Sequence, residues 1–363
     1  MPGSNSPPRA RVGALVLSAW LVTGVVASAV VRSEAVARTA PAVASSVTAS
    51  VAPRQCEGCH LEVAAEWQES LHARAFRDAV FQAEFAPHPS EECVACHAPL
   101  AADRVAPAQV DTDQGVTCIT CHLDEAGHIL AGIRRPRAAA PAPHGVVRSR
   151  ALGAVAQCAV CHEFAFPEPT APGVLPHDPN VLQQATLSEW EHTAAGRRGE
   201  TCASCHMPRR ADGHVDHRAL GVSIDLLADS LHVAARASRE GDELVLRLTL
   251  RARNVGHAVP TGDIFRRLIV RAEVGGESRT LELRRYFGVR HVDGDLRMTE
   301  IDDTRVLPGR ARVVTLRLPG AARGEPIRWS LAHARLDLDI ARARGLSEDA
   351  VLLPFAAGTV TPR

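Results

Sequence analysis

The sequence Cys56-Glu57-Gly58-Cys59-His60 contains the pattern that decides the fold. The same spacing, Cys-x-x-Cys-His, recurs at residues 93–97, 118–122, 158–162 and 202–206. These five motifs use all ten cysteines of the 363-residue chain. Every thiol therefore belongs to a motif in which a histidine directly follows the second cysteine.

Cys-x-x-Cys-His is a pattern that attaches haem covalently. The two thiols add to the two vinyl groups of the porphyrin, and the following histidine binds the iron as proximal ligand. Zinc knuckles and dithiol redox sites share Cys-x-x-Cys, but they do not require a histidine directly after it in every copy. Disulfides within the pairs would create five small strained loops. The sequence therefore predicts five covalently bound haem c groups.

The side chains that bind these haems follow from the motifs. The predicted attachment sites are Cys56, Cys59, Cys93, Cys96, Cys118, Cys121, Cys158, Cys161, Cys202 and Cys205. The predicted proximal iron ligands are His60, His97, His122, His162 and His206. The chain has 17 histidines, so enough remain to supply a second axial imidazole to every iron.

The N-terminal sequence predicts export. Haem is attached to cytochromes c outside the cytoplasm, and residues 12–31 form an almost uninterrupted apolar run preceded by Arg9 and Arg11. Residues 1–32 are therefore predicted to be a signal peptide or an N-terminal membrane anchor. The length of the run favours an anchor with its positive end inside, whereas Ala27-Ser28-Ala29 resembles a cleavage site. Residues 33–52, rich in small residues, are predicted to link this segment to a periplasmic body.

The charge composition limits the partners of the protein. Lys+Arg and Asp+Glu both number 41, and every residue of the basic group is arginine. Haem propionates would make the protein net acidic, and no basic stripe points to nucleic acid. Arg134-Arg135, Arg197-Arg198, Arg209-Arg210 and Arg266-Arg267 are interpreted either as partners of propionates or as solvated surface residues. The expected partners are redox proteins, including a quinol-linked donor, and the membrane through the N-terminal segment.

The motifs divide the chain into two structural regions. Residues 53–220 are predicted to be a pentahaem domain in which short α-helices and loops wrap around the haems, with the macrocycles forming much of the apolar core. Apolar residues at helical spacing predict one helix from Leu61 to about Phe85. Residues 221–240 are predicted to connect this domain to the next.

Residues 241–363 are predicted to form an antiparallel β-sandwich. Apolar residues alternate with polar ones at 244–250, 268–274, 314–318 and 327–331, which is typical of strands. Gly275-Gly276 predicts a hairpin turn after the second of these runs. Residues 340–346 are predicted to form a short helix.

Several motifs make the chain resemble multihaem cytochromes c of the cytochrome c-554 family. Residues 53–220 contain Cys56-x-x-Cys59-His60 followed by Trp67-x-x-Ser70-x-His72, then Gly115-Val116-Thr117-Cys118, Cys202-x-x-Cys205-His206-Met207-Pro208 and Asp216-His217-Arg218. Beyond them, Asn254-x-Gly256-His257-x-x-Pro260-Thr261-Gly262 is similar to a motif in the β-domain appended to many of these proteins.

The resemblance implies which histidines bind the distal side of the irons. These are His72, His144, His217 and His257, with His192 as the fifth, although His214 competes with His217. Twelve residues of helix span about 18 Å, so His72 is expected to serve a haem other than that of His60. Gly256, Pro260 and Gly262 favour a loop that projects His257 from a sheet edge, although the same residues would also suit an ordinary structural turn. Surface or turn positions are expected for His88, His128, His177, His232, His291 and His333.

Three classes of function are compatible with the sequence. The first is an electron relay, the second a haem-dependent oxidoreductase that acts on a small nitrogen or sulfur compound at one open iron, and the third a docking protein. A pentahaem nitrite reductase is disfavoured because the chain has no lysine for a Cys-x-x-Cys-Lys site and its one tyrosine, Tyr286, lies in the predicted β-domain. The sequence favours the electron carrier, with enzymatic activity undecided.

Overall fold

The computed structural model describes residues 55–102, 105–111, 113, 115–134, 143–169, 173–319 and 324–362. All of them belong to one compact unit. The predicted signal peptide or anchor and the predicted linker lie outside these residues. Among the residues described, no helix combines the length and the apolar character needed to span a membrane.

The helices of the described residues are short, and most lie in the cysteine-containing half. They are α1 (Leu61–Glu69), α2 (Ala79–Phe85), α3 (Glu91–His97), α4 (Cys118–His122), α5 (Val155–His162), α6 (Thr186–Glu191), α7 (Ala194–Arg197), α8 (Cys202–His206), α9 (Ile224–Ser230), α10 (Leu338–Ala343) and α11 (Glu348–Val351). A short 3₁₀ turn covers Pro107–Gln109.

Four of the five motifs end a helix at their histidine, in α3, α4, α5 and α8. In the first motif the backbone N–H of His60 donates to the carbonyl of Cys56 (3.0 Å), which closes one helical turn. Residues three positions apart lie on the same face of a helix, so each motif presents both thiols on one side. Cys59 and Cys205 are exposed, and the other eight cysteines are partly buried.

The predicted helix from Leu61 to Phe85 is wrong in its length, because it is divided into α1 and α2. Ser70 is extended at the end of α1, and its Oγ accepts a hydrogen bond from the N–H of Ala73 (3.0 Å). A serine that satisfies nearby backbone in this way competes with helical hydrogen bonding. Asp78 then caps α2 by accepting from the N–H groups of Val80 and Phe81. The interruption creates a corner that carries His72.

The strands of the described residues form two small pairs in the motif region and larger sheets after it. They are β1 (Leu130–Gly132), β2 (Val147–Ser149), β3 (Glu163–Ala165), β4 (Leu182–Ala185), β5 (Leu231–Glu240), β6 (Glu243–Ala252), β7 (Arg267–Val274), β8 (Glu277–Leu283), β9 (Arg285–Val292), β10 (Asp295–Asp303), β11 (Ala311–Pro319), β12 (Ile327–Ala334) and β13 (Leu352–Val360). The strand order is β11-β6-β5 in one sheet and β13-β12-β7-β8 in another, and β9 pairs with β10.

The two larger sheets are antiparallel and contribute side chains to one hydrophobic core. Leu246 and Leu248 come from the three-stranded sheet, Val270 and Leu331 from the four-stranded sheet, and all four are fully buried. The β-rich second region is therefore confirmed, while its packing as a sandwich stays a prediction. The predicted short helix near residue 340 corresponds to α10.

The boundary between the two regions differs from the prediction. Residues 221–240, expected to be a connector, contain α9 and the whole of β5. β5 pairs along its full length with β6, from Leu231 opposite Ala252 to Glu240 opposite Glu243. Two of its four inward positions are alanine, which weakens the strand signal, and the pairing with a strongly apolar neighbour stabilises the strand.

Candidate metal centres

Three of the motif histidines are oriented by a backbone carbonyl at Nδ1, whereas Nδ1 of His162 lies 3.2 Å from the amide nitrogen of Gln184. Nδ1 of His97 lies 2.8 Å from the carbonyl oxygen of Ala75, and Nδ1 of His122 lies 2.9 Å from that of Leu130. His206 makes the same contact with Leu220. A carbonyl can only accept, so Nδ1 carries the proton and Nε2 keeps a free lone pair. This arrangement fixes the ring and leaves Nε2 to bind a metal.

Four motif histidines face a second imidazole from elsewhere in the chain. The ring centres are separated by 6.3 Å for His60 and His144, and by 6.2 Å for each of the pairs His72–His162, His122–His217 and His206–His257. Two imidazoles that share one metal need their nitrogens about 4 Å apart and their ring centres roughly 6 Å apart, because each metal–nitrogen bond is about 2 Å. The residues present therefore fit a haem iron with two axial imidazoles.

His72 is placed by a contact between two sequence motifs. The indole Nε1 of Trp67 donates to the carbonyl of Val116 (2.9 Å), and the N–H of Val116 donates to the carbonyl of His72 (2.9 Å). A Cβ on Gly115 would lie 2.7 Å from the carbonyl oxygen of Ala73 and 2.8 Å from that of His72. Only glycine permits this approach, which carries His72 away from His60 and towards His162 of the fourth motif.

Glu66 holds the segment that carries His217. Its carboxylate accepts from Nε2 of His214 (2.8 Å) and from the backbone N–H of His217 (2.9 Å), and it forms an ion pair with Arg210. Burial alone would raise the pKa of Glu66, but these hydrogen bonds outweigh it and hold the pKa below its usual range. The structure thus separates the two competing histidines, since His214 is bound by Glu66 and His217 faces His122.

Glu189 has the same role in the loop that carries His257. Its Oε2 accepts from the N–H of Ala258 (3.1 Å) and from the hydroxyl of Thr261 (2.6 Å), while its Oε1 pairs with Arg305 (2.7 Å). A Cβ on Gly256 would lie 3.1 Å from the ring of Trp190, so this loop packs closely against α6. The β-rich region thereby places one imidazole beside the fifth motif.

His144 lies in a more open position than the other distal candidates. It is exposed, and its Nδ1 donates to the carbonyl of Gly145 at 3.3 Å. The segment before it, residues 135–142, lies outside the described part of the chain. Its ring is nevertheless brought to His60, which is also exposed.

His97 is not paired with a histidine in the part of the chain that the structure describes. The ring beside it is that of Phe81, stacked at 3.8 Å with an interplanar angle of 13°.

His192, the expected fifth distal ligand, is exposed at the end of α6, and its Nδ1 donates to the carbonyl of Ser188 (2.6 Å). That local bond holds the ring on its own helix, so the structure does not bring His192 to a motif histidine.

Contacts among the motifs show which sites are neighbours. Burial, followed by His72, His206, His97 and His257, lowers the pKa of His162 to about 4. The fourth motif therefore lies close to His97 of the second motif and to the pair of His206 and His257 at the fifth.

Contacts between cysteine thiols of different motifs also show which motifs are neighbours. The thiol of Cys161 lowers the pKa of Cys96, and that of Cys158 lowers the pKa of Cys202 to about 7. Burial and then the thiol of Cys56 raise the pKa of Cys118 to about 11. The first motif thus lies beside the third, and the fourth lies beside the second and the fifth.

The sequence interpretation missed the roles of Glu66 and Glu189, although a signal was present. Each precedes a tryptophan in the pattern Glu-Trp-x-x-Ser/Thr, at residues 66–70 and 189–193. Each pattern is also followed by Gly-x-Thr-Cys at the start of a motif, at 115–118 and 199–202. In both copies the glutamate holds the segment whose histidine faces that motif. This internal repeat links the two carboxylates to the third and fifth sites.

One histidine expected at the surface differs from that expectation. His333, on β12, is 2 % exposed, and its Nδ1 has no hydrogen-bond partner among the described residues. Burial, followed by Arg266 and Arg335, lowers its pKa to about 3. His333 is therefore a neutral, buried ring.

Comparisons with known proteins find similarity to multihaem cytochromes. The sequence model of the family described as cytochrome c554 and c-prime matches residues 55–123, which include the first three motifs. The fold is similar to the crystal structure of a penta-heme cytochrome c552 from Thermochromatium tepidum, with a TM-score of 0.65 and 20% sequence identity over 88% of this chain and 100% of that one. No curated protein matches the chain. The motifs, the family match and the shared fold support a multihaem cytochrome c.

Proposed function

We propose that the protein is an exported periplasmic cytochrome that carries five covalent haems and passes single electrons from a membrane or periplasmic donor to an acceptor protein. The four imidazole pairs are the observation that supports this function. Two axial imidazoles leave no position for a substrate, which is the arrangement expected of an electron carrier. The donor is expected to be a redox protein such as a quinol-linked enzyme, and the N-terminal segment is expected to hold the protein at the membrane.

The residues of the chain contribute orientation and burial to this function. Bound haem iron supplies reversible one-electron chemistry. The backbone carbonyls of Ala75, Leu130 and Leu220 fix the proximal rings and raise their basicity, which stabilises the oxidised iron. The contacts among the motif thiols bring neighbouring sites together. Electrons would pass between the first and third sites, and between the fourth site and the second and fifth. The third and fourth sites would be joined where the amide of Gln157 donates to the carbonyl of Cys121 (2.9 Å).

The relay is tested by haem content and spin state. Intact mass of the protein matured with a cytochrome c assembly system should show five haems. Electron paramagnetic resonance of the oxidised protein should show four low-spin haems, and a soluble donor should reduce them rapidly. A mass with four or fewer haems in fully matured protein would contradict the proposal.

A second function, chemistry at one haem, is favoured by His97. The haem of the second motif would have one axial imidazole and an open position, because no described histidine faces His97. Such a site suits a small nitrogen or sulfur compound as substrate. Carbon monoxide should then bind one iron of the reduced protein, and nitrite or hydroxylamine should turn over far faster than with free haem. Slow turnover despite an open iron would leave electron transfer as the function.

A further inference from the structure

Arg266 is a cationic side chain without a counter-ion at hydrogen-bond distance in the part of the chain that the structure describes. Its Nη1 is buried and has no hydrogen-bond partner. Burial lowers the pKa of its guanidinium, as expected when a charge is withdrawn from water. The side chain folds back against Gly262, with its Cγ 3.5 Å from the position that a Cβ would occupy there.

Arg266 as a whole is only partly buried, and the arginines of the β-rich region that are almost fully buried are paired. Arg267, the next residue, is 2 % exposed and contacts Glu282 and Asp337. Arg285 pairs with Glu300 at 2.7 Å, and Arg305 pairs with Glu189 at 2.7 Å. A buried charge without a partner costs several kcal/mol, which is why proteins pair such groups. Arg266 departs from the rule that its neighbours follow.

The carboxylates around Arg266 are already engaged. Asp78 forms an ion pair with Arg335 at 2.7 Å and caps α2. Asp263 accepts from the N–H of Phe265 (3.0 Å) and from the amide of Gln183 (3.4 Å). After burial, the charge of Arg335 lowers the pKa of Arg266 further, and Asp263 and Asp78 raise it from beyond ion-pair distance. The chain therefore supplies nearby negative charge but no direct ligand for the guanidinium.

Arg266 faces the second motif. Phe265, the preceding residue, packs against the core cluster that contains Val80 of α2, and Phe81 on the same helix stacks on the ring of His97 at 3.8 Å. Burial lowers the pKa of His97 most, the carbonyl of Ala75 raises it, and the charges of Asp263 and Arg266 follow. The unpaired guanidinium thus lies beside the motif whose histidine lacks an imidazole partner. A planar guanidinium with free N–H groups binds carboxylates and oxyanions in a bidentate manner.

We propose that Arg266 is an anion-binding residue of the second haem site and takes a carboxylate or a small oxyanion. Two sources have this chemistry. One is a propionate of the haem attached at Cys93 and Cys96, and the other is an exogenous anion bound near the open iron. The proposal rests on the proposed attachment of haem at this motif, and the experiment therefore begins by counting haems and high-spin signals in the unaltered protein.

The test compares three variants of the full-length holoprotein. Arg266→Met removes the charge at similar length, and Arg266→Lys keeps it. Arg271→Met on β7 removes an exposed arginine paired with Glu273, and it serves as the matched control for net charge. The probes are azide and nitrite for the oxidised protein and carbon monoxide as a neutral ligand for the reduced protein. Midpoint potentials are measured between pH 5 and 9.

The outcomes separate the two sources. For an exogenous anion, Arg266→Met weakens azide and nitrite binding about tenfold or more, equivalent to about 1.4 kcal/mol, and leaves carbon monoxide binding unchanged. For a propionate, anion affinity is unchanged while the potential of that haem falls and gains pH dependence, because the propionate has lost its partner. Arg266→Lys restores much of either property, and Arg271→Met behaves as the parent.

The proposal is overturned if folded, five-haem Arg266→Met matches the parent in both anion affinity and the pH dependence of its potential. A parent with fewer than five haems would contradict the proposed function instead. The two failures are therefore distinguishable.

Discussion

At the scale of single residues, two carboxylates determine the positions of His217 and His257. Glu66 and Glu189 are largely buried, with side chains 13% and 14% exposed, and each ties together backbone and side-chain donors from a distant segment. A buried carboxylate that loses these donors is left unsatisfied, because water does not replace them. The segments that carry His217 and His257 are therefore held strongly. This contact determines where His217 and His257 lie.

Glu66→Gln should loosen His217 without removing it. The amide keeps one acceptor but loses the charge that binds His214 and Arg210, and a destabilisation of about 1–3 kcal/mol is expected. Part of one low-spin signal in the electron paramagnetic resonance spectrum should convert to high spin. Glu62→Gln, one turn earlier on α1 and 66% exposed, also loses a contact with Arg210 and is the control. Equal spectra for the two variants would remove Glu66 from this role.

His333 should make the protein sensitive to acid. Its pKa is about 3 in the folded protein and ordinarily 6.5, so only the unfolded chain takes up a proton between these values. Stability is therefore complete above pH 6.5 and falls by about 1.4 kcal/mol per unit as the pH drops towards 3. His333→Leu should lower the midpoint pH of acid unfolding, measured by circular dichroism, whereas exposed His291→Leu should not. An unchanged midpoint in His333→Leu would contradict this assignment.

At the scale of elements, alternation in the sequence predicted the strands whose two faces differ most. β6 and β7 are of this kind, because one face is fully buried. β9 was missed since four of its eight residues are half-buried and three are exposed, so neither face is consistently apolar. β13 was missed because it contains Pro354, which weakens a strand signal and is tolerated here at the edge of its sheet.

The histidine pairs could be predicted only in part, for a related reason. A helix-length argument excluded His72 as a partner of His60, but its placement beside His162 depends on the corner at Ser70 and on the contact of Gly115. The number of spare histidines does not show where their side chains point. The lack of a described imidazole partner for His97 was therefore not foreseen. Such contacts between distant segments leave no periodic pattern in the chain.

Gly115→Ala should disturb the corner that carries His72. The new Cβ would meet two backbone carbonyls at 2.7 and 2.8 Å, and neither can move without displacing His72. A loss of about 1–3 kcal/mol is expected, with a weakened low-spin signal from the haem of the fourth motif. Gly132→Ala, where no atom lies within 4 Å of the added carbon, is the matched control. Thermal unfolding and spin state together check the result, and a normal spectrum for Gly115→Ala would argue against a role of this corner in ligand placement.

At the scale of the whole molecule, the β-rich region does more than support the motifs. It supplies His257 to the fifth motif and Arg266 to the second, and its Arg305 binds Glu189 of the motif region at 2.7 Å. Residues of both regions therefore contribute to the same candidate metal centres, which agrees with a single compact unit for the described residues. Changes in the second region should consequently be visible in the haem spectra.

His257→Ala should convert one low-spin haem to high spin or shift its potential, although the residue lies far beyond the last motif. The reason is the 6.2 Å separation from the ring of His206. Electron paramagnetic resonance and a redox titration measure the change, and His232→Ala, an exposed residue on β5, controls for loss of a histidine from the same region. Identical spectra and potentials in folded His257→Ala would return this residue to a structural turn.

The order of the imidazole pairs along the chain has a consequence for assembly. The pairs join residues 60 and 144, 72 and 162, 122 and 217, and 206 and 257, so each loop begins before the preceding one has closed. Closing a loop of about 100 residues restricts the unfolded chain by about 4–5 kcal/mol in the entropic view, and opening one of these overlapping loops frees little chain while the others stay closed. If the protein is exported from its N-terminus as proposed, the haem of the first motif waits for His144, whereas the haem of the fourth motif finds His72 already present. Because the loops overlap, we expect axial imidazoles to exchange between irons both during haem attachment and during unfolding.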